Sequence, residues 1–192
     1  MQTESELELQ PTLWRTCRVL ANRIRLRLLG ELFREPAQSV SALAARLGVP
    51  LALTSQYLRD LGARGLLRAH REGRTVTYSP VPDNLVPQAR VLLAALKKCF
   101  LLEEDPIGRI FSQVTAFTHP RRAAVVCAIG SGCESEREVV RATAISLAAV
   151  VRHLRKLRRR QVVCVSRGRY SLARPASGLT RVLLQLALTS RK

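Results

Sequence analysis

The sequence predicts a mainly α-helical protein with small β-hairpins, laid out as two tandem copies of one plan. Three observations carry this reading. Apolar residues recur three and four apart through most of the chain, as on the buried face of a helix. Two basic segments alternate in polarity around a glycine, as hairpins do. The motifs of the first half reappear 97 residues later at the start of the copy and 96 residues later at its fourth helix.

The 192 residues are long enough to bury a real core, and a hydrophobic content of 47% argues against a disordered chain. Aromatics are only 4%, so the core is expected to be aliphatic. The formal charge is +18 and the isoelectric point near 11.4. Such an excess is most easily explained by an anionic partner. All but four of the 32 basic residues are arginine, the exceptions being Lys97, Lys98, Lys156 and Lys192. Arginine offers planar, bidentate contacts to phosphate and guanine, although compositional bias gives the same count. The charge is lopsided: net +5 over residues 1–104 and net +13 over 105–192. "TESELELQ" at the start is acidic and expected to be frayed, which sets residues 1–12 apart from copies at 13–104 and 105–192.

In the first copy, "LWRTCRVLANRIRLRLLGELF" reads as two helices with Asn22 as break and N-cap. "PAQ" reads as a turn, and "SVSALAARLGV" as a short helix ended by Gly48. "PLALTSQYLRDLGARG" reads as a helix started by Pro50, with Thr54, Leu58 and Leu61 inward. "LLRAHREGRTVTYSP" reads as a hairpin, and Asp83 or Asn84 as the cap of a helix over 85–102. Four helices, a hairpin and a helix make the winged helix-turn-helix plan, with Ser41–Leu47 and Leu51–Arg64 as the helix pair.

The segments "ANRIRLRLL", "SVSALAARLGV", "LTSQYLRDLGARGLL" and "REGRTVTYS" resemble those of the ArsR-type (arsenic-repressor-like) winged-helix regulators over residues 15–100. The second half repeats them in weaker form. "FTHPRRAAVV" resembles "LANRIRLRLL", with Arg122 in the place of Arg25, and "HLRKLRRRQVVCVSRGRYSL" resembles "YLRDLGARGLLRAHREGRTVTYS" with a shorter wing. "SEREVVRATAIS" stands for "SVSALAARLGVP", and a Leu-rich helix over 178–188 follows as 85–102 follows the first wing. The expectation is a tandem duplication. Members of that family pair as homodimers through terminal helices. The resemblance therefore implies a single-chain pseudo-dimer with 85–102 against 178–188, or else two independent domains, and leaves monomer and homodimer both open.

The resemblance and the helical spacing together name the candidate site. In the first copy Leu51, Ala52, Ser55, Gln56 and Arg59 face outward with Tyr57 at the flank, and Gln56 and Arg59 suit base edges. The wing adds Arg71, Arg74 and Thr75 for phosphate or minor-groove contact. In the second copy the helix from Ser146 turns Leu147, Ala148 and Val151 outward, then Arg152, His153, Arg155, Lys156 and Arg159, with Arg167 and Arg169 on its wing. That face reads as a phosphate clamp or as a surface for another protein. The expected partner is double-stranded DNA, and the expected role a transcriptional regulator in the cytoplasm at the nucleoid. A winged-helix protein scaffold and a structured-RNA binder are the alternatives; few aromatics are available to stack on single strands.

Other classes find little support. Five scattered cysteines, none in a CxxC pair, read as buried thiols in a reducing setting. The resemblance raises metal sensing, but the first helix of each helix pair lacks cysteine and the last helix lacks histidine and carboxylate, so no metal or other cofactor is expected. His70, His119 and His153 have no nucleophile partner in the sequence, and "IGSGC" reads as a helix end, so no enzyme is expected. No segment has transmembrane length.

Overall fold

The computed structural model describes residues 12–175 and 177–189, and the acidic start at 1–11 lies outside them. Contacts divide the chain into two units, one holding Thr12 and Val19–Phe111, the other holding Leu13–Arg18 and the chain from Ser112 onward. Helix α1, Leu13–Leu20, therefore contributes residues to both.

In the first unit α2 runs Arg23–Arg34 behind the expected cap, Asn22, whose Oδ1 accepts from the Ile24 and Arg25 amides at 2.9 and 3.0 Å. It buries Leu26, Leu28, Leu29 and Leu32. Helix α3, Val40–Leu47, starts where the Ser39 hydroxyl accepts from the Ala42 amide at 3.1 Å and stops at Gly48, whose φ of 63° a glycine adopts without strain. Helix α4, Leu51–Gly62, buries Thr54, Leu58 and Leu61 as the spacing predicts.

Two strands, β2 (Arg68–Glu72) and β3 (Thr75–Ser79), form the expected hairpin around Gly73. The expected turn at "PAQ" is corrected in part: Gln38–Ser39 forms a short strand, β1, on the other edge of β3, pairing Gln38 with Tyr78. The helix expected over 85–102 is also shortened: α5 is Ala89–Leu102. Pro87 disfavours helical backbone at Val86, and the Asp83 carboxylate accepts from the Leu85 amide at 2.9 Å instead of capping a helix.

Helix α6, Pro106–Val114, which the sequence reading did not anticipate, leads into the second unit. There α7 is Pro120–Gly130, α8 Glu136–Thr143, α9 Leu147–Arg159 and α10 Gly178–Thr189. Between α9 and α10 a second hairpin pairs β4 (Val163–Ser166) with β5 (Arg169–Leu172). The order helix, helix, helix, hairpin, helix thus occurs in each unit.

Local detail recurs as well. His119 caps α7 by accepting from the Arg121 amide at 3.1 Å, as Asn22 caps α2. Ser135 and Glu138 form a capping box at α8. Ala144, at φ 54°, ends α8 in the left-handed conformation that Gly48 adopts after α3. After α4 the Leu66 amide bonds the Leu61 carbonyl across Gly65 at φ 71°; after α9 the Val162 amide bonds the Leu157 carbonyl across Gln161 at φ 56°.

Cys17, Cys99 and Cys127 are buried as expected, whereas Cys133 is half-buried and Cys164 exposed on β4. Burial holds the Cys17 and Cys99 thiols above their ordinary range. Among the described residues no helix is long and apolar enough to cross a membrane, and no group of three or more His, Cys, Asp or Glu side chains could hold a metal ion.

Candidate nucleic-acid interface

Helix α4 reaches the surface because α3 and the Gly48 turn set its buried stripe, Thr54, Leu58 and Leu61, against the core. Side chains on the opposite side of the helix then face solvent. Gln56 and Arg59 are exposed, Ser55 and Tyr57 half-buried. The Arg25 guanidinium lies over the Tyr57 ring, 4.6 Å from its centroid, and donates to the Asp60 carboxylate at 2.6 Å and the Val19 carbonyl at 3.2 Å. This triad pins α4 to α2 and fixes how far Gln56 and Arg59 project. On the hairpin Arg71, Arg74 and Thr75 are exposed, and the Arg71 Nε donates to the Gly73 carbonyl at 3.3 Å.

The second unit presents α9 through Ser146, Arg152, Arg155 and Arg159, all exposed, over a buried stripe of Val150, Leu154 and Leu157. Lys156 is half-buried, and burial followed by the charges of Arg160, Arg122 and Arg159 lowers its pKa. Arg160 turns aside to donate to the Ser112 hydroxyl at 2.8 Å. On the hairpin Arg167 and Arg169 are exposed, but Arg169 is also paired with Glu134 at 3.1 Å.

One candidate residue is misplaced. His153, expected on the polar face, is 5% exposed, with its ring centroid 5.2 Å from that of His119. A side chain so covered cannot meet a nucleic acid. Burial, then the cations around it, lower its pKa to about 4, so it is neutral near pH 7.

Arg122, which follows the His119 cap, donates to the Ala116 and Thr115 carbonyls at 2.9 and 3.2 Å and to the Thr118 hydroxyl. It therefore has backbone partners where Arg25 has a carboxylate. Sequence reading also passed over Arg137 and Arg141, exposed four residues apart on α8. With Val140 and Leu147 they line a cavity of about 480 Å³ at the start of α9. Their spacing, one helical turn, is the signal that could have found them.

Chemically, the arrangement supplies hydrogen-bond donors on an exposed helix, guanidinium groups on two hairpins and a cationic arc on α9. A family model described as winged helix-turn-helix DNA-binding matches residues 22–68. No curated protein and no solved structure gives a significant match. Residues 22–68, from the α2 cap to the first residue of the hairpin, form a winged helix-turn-helix DNA-binding domain.

Proposed function

We propose that the chain is a non-enzymatic, sequence-specific regulator of transcription that binds double-stranded DNA, of the ArsR-like kind. Its second unit is a diverged copy of the first, so that one chain supplies the two helix-turn-helix faces for which single-copy regulators need a dimer. The observation that carries the reading is the outer face of α4 within the matched domain. Gln56 and Arg59 project from it between buried anchors, beside a hairpin whose exposed residues include Arg71 and Arg74. Glutamine and arginine are residues that form bidentate bonds with adenine and guanine edges. The recurrence of caps, left-handed turns and crossover hydrogen bonds in the second unit supports common descent of the two.

In this reading the units divide the labour. The first reads bases through Ser55, Gln56 and Arg59, with Tyr57 as the shelf on which Arg25 rests. The second grips phosphates through Ser146, Arg152, Arg155, Lys156 and Arg159, with Arg167 and Arg169 from its wing. Phosphate contacts position a protein without carrying sequence information, which suits a helix whose exposed donors are nearly all guanidinium.

The test begins with selection of preferred duplexes from a random library by the full chain. Gln56→Ala and Arg59→Ala should each reduce discrimination between selected and scrambled duplexes roughly tenfold, with little change on scrambled DNA. Discrimination that survives both substitutions would remove the first unit as the reader.

A further inference from the structure

Both recognition helices open on the same two residues, and neither residue has a task in the reading given so far. Helix α4 begins Leu51-Ala52 and α9 begins Leu147-Ala148. Leu51 is 57% exposed and Leu147 52%, placing both among the exposed large hydrophobic side chains of the protein, and both alanines are exposed too. Neither leucine is needed for the core, which Val49, Thr54 and Leu58 supply behind α4, and Ile145, Val150 and Leu154 behind α9. Neither helix start is blocked by its own cap, because Pro50 and Ser146 make no side-chain capping bond.

The rest of the two outer faces has diverged. Ser55 and Gln56 in α4 correspond to Val151 and Arg152 in α9, and Asp60 to Lys156. The Leu-Ala pair, with Arg59 and Arg155 two turns on, is what the faces share. It stands at the N-terminal end, the end that a recognition helix directs at base edges.

Leucine and alanine side chains offer a base edge no hydrogen bond. The apolar feature of the major groove is the 5-methyl group of thymine, or of 5-methylcytosine. We propose that Leu51-Ala52 and Leu147-Ala148 read pyrimidine 5-methyl groups, so that the chain prefers thymine-bearing steps under the start of each recognition helix. The inference rests on the DNA-binding reading above and deepens it. The second unit then adds a coarse thymine preference to its phosphate grip, and the first combines methyl contacts with the donors of Gln56 and Arg59.

The experiment uses the full chain and one selected duplex, synthesised with thymine and again with uracil in its place. Uracil pairs identically and lacks only the methyl group. Fluorescence anisotropy should show the uracil duplex bound about fourfold more weakly for each methyl covered, the worth of one buried methyl-sized group. Leu51→Ala and Leu147→Ala, surface changes that leave the core intact, should each shrink the thymine–uracil difference. Equal affinity for the two duplexes would overturn the inference and leave DNA binding standing. It would make the Leu147 patch, beside Arg137, Val140 and Arg141, a surface for another protein. A difference that persists undiminished in both leucine variants would overturn it equally. Absence of binding to either duplex would overturn the underlying DNA reading as well.

Discussion

Arg25 and Arg122 occupy matching places at the starts of α2 and α7, yet their surroundings have diverged in sign. Arg25 is neutralised by Asp60 and rests on Tyr57; 96 residues further on, Lys156 and His153 stand in those places. Where the first unit has an ion pair, the second has a cluster of cations beside a buried, neutral imidazole. His153 titrates ordinarily near 6.5 in an unfolded chain but at about 4 here, pushed down by burial first and by His119 and nearby arginines second. The native state then binds fewer protons than the unfolded state between those values. The stability that the neutral ring contributes is present above pH 6.5 and lost as pH falls toward 4. In urea titrations at pH 7 and pH 5, the stability of the wild type relative to His153→Phe should therefore fall at the lower pH. An unchanged difference would show that the ring is not buried neutral. The sequence permitted this placement: His153 lies three residues after Val150 and four before Leu157, on the flank of the buried stripe. The Arg25 to Arg122 match was legible, but the bond from Arg25 to Asp60 joins residues 35 apart in the chain and carries no local signal.

At the scale of elements, the turn between the two helices of each pair is the sharpest comparison. Gly48 at φ 63° and Ala144 at φ 54° both take the left-handed conformation, and a Cβ on Gly48 would meet nothing within 4 Å. Ala144 is itself exposed, so its cost is backbone strain and not crowding. A left-handed alanine costs roughly 1–2 kcal/mol, and the extra unfolded freedom of glycine returns about 0.5–1 of it. Ala144→Gly should accordingly stabilise the protein by about 0.5–1 kcal/mol in urea unfolding, and a loss of stability would contradict the assigned turn. The helix pair, the hairpins and the Asn22 cap were legible because periodicity, glycine and capping chemistry all act locally. What escaped depended on partners distant in sequence or on a single neighbour. Strand β1 is two residues long and exists only because β3 offers it an edge. The start of α5 at Ala89 follows from Pro87, and the left-handed Gln161 carries no glycine to announce it.

For the whole molecule the governing quantity is the net charge of +18, weighted toward the second half. Each phosphate neutralised releases counterions, so the number of contacts is written in the salt dependence of binding. The charge asymmetry was plain from the sequence, but which arginines face solvent was not. Arg160 and Arg122 turn to protein oxygens, whereas Arg152, Arg155 and Arg159 stay exposed. The measurement that bears most directly on the account is the affinity of the full chain for a selected duplex across salt, beside a variant carrying Arg152→Ala, Arg155→Ala and Arg159→Ala. The wild type should bind specifically at about 150 mM salt, and the variant should show a log–log slope shallower by about 2–3 with base preference retained. No duplex binding at that salt, or the same slope in both proteins, would contradict it.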